Sequence, residues 1–500
     1  MRTENGFQTS FELLEVKTGE GALVLQGRVQ LILPTPPQND RLPFQVEQTV
    51  EDAGQQFKRW AFQHLMEKLD AELVLTMRGG KDGQGVVCRG CRTMTFKTLF
   101  GTVQVSRHRL QHKADQSLEI PAARVWGTPQ QVTITQGLRD AVCDAMLQES
   151  SRKSLRHIEQ RAGEEELLSR VSILNLVHEE GLALREAARH RAEAVFASEP
   201  AARCLLRAVK EPSPEESPPS PGPAEDERTW EALAGFPGAP AGQPVESDQP
   251  RHVDSDAVMI QADEVVVHAQ PSTGMKQIKV YTAVVSTAER TWYFSEENAQ
   301  SLIYLASALL ALLGVHRGQL RLLFVNDGAR WIRDWFEALP VKAKTMVLCW
   351  YHLAHRCVDG LSMACTGKKH REEVTQEVLG HLWEGRVEEA LCVLSGRRLE
   401  MRCRVALGKL VEYLENRRSY LPDYSARQQA GLWIASNRVE KLNDWAVSQR
   451  CKGLGMDWTR EGVLALAALE SARRNAELPV WRSMRLLPPW TSKSTAYQAA

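Results

Sequence analysis

Apolar segments follow one another in a fixed alternation from residue 257 onward. Three segments with strand character come first, AVMIQADEVVVHA (257–269), QIKVYTAVVS (277–286) and RTWYFS (290–295). A helical pattern (298–315), the apolar run LRLLFVND (320–327), a second helical pattern (329–339) and a last strand (343–351) follow. The order β-β-β-α-β-α-β predicts an α/β domain built on a mixed five-stranded sheet with helices on both faces.

Acidic residues occur at two strands of this predicted sheet. Asp263 lies in the first strand, and Asp327 ends the fourth. This strand order is that of the RNase H-like fold, in which these two strands are central neighbours, so we expect the two carboxylates to meet. Ligands gather at the carboxyl ends of strands in open α/β sheets, and Mg²⁺ prefers oxygen ligands. A third acid, Glu440 in SNRVEKLNDW, would complete a two-metal site.

Each acid also has a structural interpretation. Asp263 could pair with a neighbouring base, and Asp327 before Gly328 could serve only as a turn residue. Glu440 follows Asn437 by three positions, which is the spacing of a capping box. The combination of the three acids with this strand order favours the functional interpretation.

Composition divides the chain. Between residues 211 and 250 there are 10 prolines and 9 acids, which predicts a disordered or extended linker. Lys and Arg (62) balance Asp and Glu (62), so any basic surface must be local. The absence of a signal-like or membrane-spanning apolar segment predicts a cytoplasmic protein. The predicted domains are 1–85 (helical and β), 86–125 (zinc-ribbon-like β-hairpin), 130–210 (mostly helical, helix-turn-helix-like, DNA-binding), 211–252 (linker), 253–352 (first part of the core), 353–430 (helical insertion), 431–480 (core helix with the third acid) and 481–500 (tail).

Several motifs together resemble a known family. IQADE, NDGARWI, VLCWYHLAHR and SNRVEKLNDWAVSQRCKGLGMDWTREGVLALAAL occur in that order over most of 257–475. They are similar to motifs of bacterial insertion-sequence transposases with a DDE catalytic core, of the Kra-type group and its Lre-type relatives. The resemblance implies an RNase H-like catalytic core in which Asp263, Asp327 and Glu440 bind two Mg²⁺ ions, with Mn²⁺ as a substitute.

The same resemblance implies the reaction and its partners. The enzyme would cut double-stranded DNA at the terminal inverted repeats of the element and join the freed 3′-ends to target DNA. It would act as a homodimer or larger assembly on DNA, associated with the nucleoid of a bacterial cell. Two alternatives stay open: a catalytically inactive DNA-binding protein descended from a transposase, and an RNase H-like nuclease of recombination or repair.

Cysteine and histidine residues suggest further sites. Cys349 and His352 form a C-x-x-H at the end of the fifth strand, where the family resemblance implies support for the active site; a buried thiol beside a satisfied histidine is the alternative. Cys88 and Cys91 form half of a zinc ribbon, and His108 with His112 would complete a Zn²⁺ site. A metal-free hairpin is the alternative.

Basic residues in three segments are candidate DNA contacts, since duplex binding depends mainly on phosphates. Solvated surface positions are the alternative for each of them. The candidates are Arg107 and Arg109 after the hairpin, Arg152, Lys153, Arg156, Arg161 and Arg170 in the helix-turn-helix-like segment, and Arg450 and Lys452 beyond the third acid.

Overall fold

The computed structural model of the protein describes residues 8–19, 22–32, 42–79, 85–128, 131–208, 253–396, 402–453 and 456–490. The linker predicted at 211–252 and the second half of the predicted tail lie outside these residues. The chain forms two compact units, Met1–Val177 and His178–Ala500. Within the described ranges, no helix combines the length and the apolar character that crossing a membrane requires.

The first unit contains two sheets and several helices. Strands β1 (Gln8–Gly19) and β2 (Ala22–Ile32) form an antiparallel pair, and a second sheet has the order β5-β4-β3-β6. The strands of the second sheet are β3 (Val86–Thr98), β4 (Gly101–His112), β5 (Leu118–Glu119) and β6 (Val132–Ile134). The helices are α1 (Leu42–Gly79), α2 (Pro121–Val125), α3 (Gln136–Gln148), α4 (Ser151–Ala162) and the first part of α5 (Arg170–Ser198).

Strands β3 and β4 form the β-hairpin expected within 86–125, and the chain turns between them at Leu99 and Phe100. Thr98 pairs with Gly101, and Gly101 has a φ of +107°, a conformation that glycine adopts without steric cost. Alternate apolar residues of the hairpin, among them Phe96 and Val105, are buried and pack against Phe62 of α1. The period-two pattern of the sequence therefore defines the face that packs on the long helix.

The second unit is built on a five-stranded mixed sheet, which confirms the predicted α/β class. The sheet order is β11-β10-β7-β8-β9; β10 runs parallel to both of its neighbours, and β7, β8 and β9 are antiparallel in turn. In chain order its elements are β7 (Ala257–His268), β8 (Gln277–Ser286), β9 (Thr291–Glu296), α6 (Ala299–Leu312), β10 (Arg321–Asn326), α7 (Arg330–Ala338) and β11 (Lys344–Leu348).

Helices make up the remainder of this unit. The span predicted as a helical insertion contains α8 (Trp350–Ala364), α9 (Lys368–Trp383), α10 (Val387–Ser395), α11 (Arg404–Glu415) and α12 (Tyr424–Gln429). After it come α13 (Asn437–Asn443), a π-helical turn (Asp444–Ser448), α14 (Gln449–Cys451), α15 (Arg460–Arg474) and α16 (Leu478–Met484). The rings of Trp350, Trp383 and Tyr424 contact one another in the centre of the insertion.

Residues 178–208 differ from the predicted division of the chain, which placed them in the DNA-binding region 130–210. They belong to the second unit. Phe196 and Leu205 are buried in the same apolar cluster as Val258 of β7 and Leu309 of α6. The apolar face of this segment thus completes the core on one side of the five-stranded sheet.

Close packing of α5 on α15 can be tested at a glycine. A Cβ at Gly181 would overlap the backbone of Ala465, whereas a Cβ at Gly408 in α11 would meet open space. We expect Gly181→Ala to destabilise the protein by about 1–3 kcal/mol or more, because the two helices must separate. Gly408→Ala is the matched control, and helix propensity should make it neutral or stabilising by up to about 1 kcal/mol.

Urea unfolding followed by tryptophan fluorescence measures both effects. Equal midpoints for Gly181→Ala and the wild type would contradict the close approach of the two helices.

Candidate functional site

The pairing of β7 with β10 sets the positions of the two aspartates. The strands are parallel, and Ile260 pairs with Phe324. Asp263 lies three residues after Ile260 within β7, and Asp327 lies three residues after Phe324, directly after the last residue of β10. The charge of Asp327 acts on Asp263, so the two carboxylates lie in the same region, where β10 ends.

Local hydrogen bonds fix both carboxylates. Asp327 Oδ1 accepts from the backbone N–H of Ala329 at 2.9 Å, and this hydrogen bond occupies only one of the two carboxylate oxygens. Asp263 Oδ1 accepts from the N–H of Glu264 at 2.8 Å. Asp263 forms no ion pair with a lysine or arginine in the described ranges, so its alternative interpretation is not supported.

The electrostatic environment of Asp263 is unfavourable for its charge. Burial and the neighbouring carboxylate of Asp327 raise the pKa of Asp263 above its ordinary value, and the charge of Glu440 acts in the same direction. The proximity of His352 opposes this shift in the pKa. Like-charged carboxylates in one site repel each other, and a divalent cation would relieve the repulsion.

Glu440 is brought to the same region by a buried glutamine. Gln261 Oε1 accepts from the N–H groups of Arg438 and Val439 at 3.0 and 3.2 Å, and its Nε2 donates to the carbonyl of Ala435 at 3.1 Å. Gln261 is fully buried in β7, two positions before Asp263 and therefore on the same face of the strand. One strand thus carries the first acid and also holds the N-terminus of α13, the helix that carries the third acid.

The capping-box interpretation of Glu440 is wrong. The N-cap of α13 is Ser436, one residue earlier than the capping box requires, and the side chain of Ser436 accepts no hydrogen bond from the backbone of the helix. Ser436 instead donates its hydroxyl to Glu440 Oε1 at 2.7 Å. Gln261 satisfies the N-terminal N–H groups of the helix, which leaves the Glu440 carboxylate outside the capping arrangement.

Asn443 connects α13 to Asp263. Its Nδ2 donates to Asp263 Oδ2 at 2.7 Å, and its Oδ1 accepts from the hydroxyl of Thr282 at 2.6 Å. Thr282 is the residue that pairs with Asp263 across β7 and β8. The π-helical turn 444–448 follows directly, a feature found often at functional sites.

Sequence reasoning missed Gln261, Thr282 and Asn443. For Gln261 the sequence did contain a signal. It is the polar residue of the otherwise apolar run AVMIQA (257–262), and a buried polar side chain needs a hydrogen-bond partner.

Cys349 and His352 lie next to Glu440. The ligand-type atoms of these three side chains are within 4.8 Å of one another, and this is the only such group in the described part of the chain. His352 Nδ1 is 3.8 Å from Glu440 Oε1. Burial lowers the pKa of His352, but Cys349, Glu440 and Asp327 outweigh it and raise that pKa well above its ordinary value. A positively charged imidazole is therefore favoured beside the third acid.

Two overlapping groups of potential metal ligands meet at Glu440, and they differ in geometry. The ligand atoms of Asp263, Asp327 and Glu440 do not form a group as tight as the one that contains Cys349 and His352. Nevertheless, the charges of Asp327 and Glu440 both act on Asp263. The donor set is mixed: carboxylate oxygens that suit Mg²⁺ lie beside a thiol and an imidazole that suit softer metals.

The structure does not bring the four predicted zinc ligands together. Cys91 pairs with His108 across the hairpin, but His108 Nδ1 contacts Asp70 Oδ2 at 2.6 Å. His112 Nε2 lies 3.2 Å from Glu119. Cys88, Cys91, His108 and His112 form no group of close ligand atoms among the described residues. The arrangement agrees with the metal-free hairpin.

Two of the predicted DNA contacts require correction because their side chains are buried. Arg107 is fully buried between the rings of Phe96 and Trp126, at 4.6 and 4.8 Å, and donates to Thr128 Oγ1. Arg450 is buried against Trp458. Because both guanidinium groups are buried, neither is accessible to a phosphate backbone.

The remaining candidate DNA contacts are accessible to different degrees. Arg109 is half-buried and donates to the carbonyl of Arg89 at 3.3 Å. Arg170 donates to Ser151 Oγ while remaining exposed. The other exposed residues are Arg152, Lys153, Arg156, Arg161 and Lys452. Four of these lie on α4, which ends at Gly163 in the left-handed conformation, at the break that the sequence predicted.

Comparison with known proteins gives one family. Residues 41–206 match the sequence model of a family described as an uncharacterised protein family (UPF0236). The matched residues are about a third of the chain and include the hairpin β3–β4 and helices α1 to α5. No curated protein matches the chain. The matched range ends before β7, so this similarity does not extend to the three acids.

The link from Gln261 to α13 can be tested by removing its polar atoms. Gln261→Met should leave the N–H of Arg438 and the carbonyl of Ala435 without their side-chain partner, while the N–H of Val439 keeps only its bond to the Ser436 carbonyl. Each unsatisfied buried group costs about 1–3 kcal/mol. We expect lower stability and faster amide exchange over residues 436–443, measured by hydrogen–deuterium exchange with mass spectrometry. Gln277→Met, at an exposed position of the same sheet, is the matched control. Unchanged exchange in Gln261→Met would contradict the assigned role.

Proposed function

We propose that the protein is the DNA transposase of an insertion sequence, with an RNase H-like catalytic core and Asp263, Asp327 and Glu440 as its DDE residues. The observation that carries the proposal is the parallel pairing of β7 with β10, which brings Asp263 in β7 and Asp327 directly after β10 into one region, with Glu440 attached to β7 through Gln261. The sheet order β11-β10-β7-β8-β9, reached by the chain order β-β-β-α-β-α-β, supports the assignment of the fold.

The three acids fit a site for Mg²⁺. Asp327 and Glu440 each keep one carboxylate oxygen without a hydrogen bond from any described residue. Together with Asp263 they supply oxygen donors and the negative charge that Mg²⁺ requires, while substrate phosphate and water complete its coordination. When bound, the metal ions would activate water or a DNA 3′-hydroxyl and stabilise the leaving oxygen. Mn²⁺ would bind the same oxygen ligands.

Neighbouring side-chain and backbone groups of the protein hold the three acids in position before DNA binds. Asn443 holds Asp263, the backbone of Ala329 holds Asp327, and Ser436 holds Glu440. His352 Nδ1 lies 3.8 Å from Glu440 Oε1, and the pKa of this imidazole is raised well above its ordinary value, so the imidazole adds positive charge beside the third acid. Groups fixed in this way lose little free energy to reorganisation when the reacting phosphate arrives.

Exposed bases on α4 support binding of double-stranded DNA. Arg152, Lys153, Arg156 and Arg161 are exposed and form no ion pair with a described carboxylate. Such residues hold a duplex through its phosphates, while recognition of the terminal repeats requires contacts to base edges. Two transposon ends must be held together for joining, so the active form is a homodimer or larger assembly.

Strand cleavage and joining test the proposal. The substrate is DNA that ends in the inverted repeats flanking the coding sequence, with Mg²⁺ present. Asp327→Asn and Glu440→Gln should each lower the rate of cleavage by more than about 100-fold, because loss of even an outer-shell partner of a metal ligand costs about 10–100-fold. Chelation of the metal should have the same effect.

Glu412→Gln is the matched control, because Glu412 is an exposed acid of the helical insertion upstream of Glu440. It should retain full activity, and circular dichroism should show that all three variants are folded. Retained cleavage in Glu440→Gln would remove this residue from the catalytic set. Cleavage without joining would indicate a nuclease, and DNA binding without cleavage an inactive descendant of a transposase.

A further inference from the structure

Three arginines from different elements converge near Asp327. Arg333 lies in α7, Arg356 in α8, and Arg417 just after α11. The guanidinium of Arg417 stands 4.0 Å from the centre of the Tyr413 ring and donates from Nη2 to the carbonyl of Gly328 at 3.1 Å. The guanidinium of Arg356 stands 5.5 Å from the centre of the same ring. We call Arg333, Arg356 and Arg417 the arginine cluster.

The arginine cluster forms no ion pair with a carboxylate of the described residues. In the described part of the chain, none of the three arginines lies within ion-pair distance of an Asp or Glu. The Nε atoms of Arg333 and Arg417 are buried and make no hydrogen bond there. Burial lowers the pKa of Arg417, and the charges of Arg333 and Arg356 lower it further, while Tyr413 and Asp327 raise it. The three positive charges therefore act on one another across a short distance.

A purely structural role accounts for only part of this arrangement. The contacts of Arg417 with Tyr413 and with the Gly328 carbonyl attach the helical insertion to the turn that follows Asp327. Arg356, however, is exposed, and its guanidinium faces the Tyr413 ring without a hydrogen bond or ion pair to any described residue. Like charges brought together without a counter-charge destabilise the folded protein. An anion bound between them would balance the charges.

We infer that the arginine cluster binds a phosphate of the DNA strand beside the reacting phosphodiester. Guanidinium groups bind phosphate oxygens through paired, directional hydrogen bonds, and they remain charged at every relevant pH. The cluster adjoins Asp327 through Gly328, so a strand held there would pass the acids. The identity of the anion as DNA rests on the proposed function. In this account the three arginines position the strand and take no part in bond breaking.

The salt dependence of DNA binding tests this inference. The full-length protein is titrated with a short duplex at several KCl concentrations, with Ca²⁺ in place of Mg²⁺ to prevent cleavage. Each lost phosphate contact should reduce the slope of log K against log[salt] by about 0.9. We therefore expect a decrease of about 0.9 for Arg356→Gln and about twice that for the Arg333→Gln/Arg356→Gln double variant.

Two further variants control the experiment. Arg404→Gln removes an exposed arginine at the other end of α11 and should leave the slope unchanged. Arg417→Lys keeps the charge but loses the planar fork, so it should weaken binding with little change in slope. Circular dichroism checks that every variant is folded.

The outcomes separate this inference from the proposed function. A slope equal to that of the wild type in the double variant overturns the arginine cluster as a DNA site, even if the wild type cuts and joins DNA. A reduced slope in a protein that never cleaves DNA supports the cluster and contradicts the transposase proposal. A wild-type protein that binds no duplex at low salt overturns both.

Discussion

The parallel pairing of β7 with β10 is the constraint on which the candidate site depends. Asp263 lies in β7 and Asp327 directly after β10, and the charge of Asp327 raises the pKa of Asp263. Two carboxylates that share a site repel each other unless a cation or a proton offsets the repulsion. The proposed Mg²⁺ site would offset it, and a backbone hydrogen bond fixes each carboxylate.

A buried polar network determines where the third acid lies. Gln261 takes the place of a capping residue for α13, and Asn443 connects the far end of the same helix to Asp263 and Thr282. A buried polar group without a hydrogen-bond partner lowers the stability of the folded protein, and a hydrogen bond has a preferred direction. The hydrogen bonds of Gln261 and Asn443 therefore specify the position of the helix. These hydrogen bonds connect both ends of α13 to β7, the strand that carries Asp263.

Apolar periodicity was sufficient to predict the strands, their chain order, the hairpin turn and the two strand-borne aspartates. It was insufficient wherever the outcome depended on packing between distant segments. Arg107 and Arg450 have the charge of DNA contacts, but neighbouring aromatic rings bury them. Residues 178–208 have a helical pattern that fits either unit, and only the core they complete assigns them to the second. The role of Gln261 likewise depends on a helix 177 positions away.

The most direct test of the account is the position of a bound metal. Crystals of the full-length protein grown with Mn²⁺ would be measured for anomalous scattering at the manganese absorption edge. We expect a peak of anomalous difference density in contact with the carboxylates of Asp263 and Asp327. Density confined to Cys349 and His352, or no density near the aspartates at saturating Mn²⁺, would contradict it.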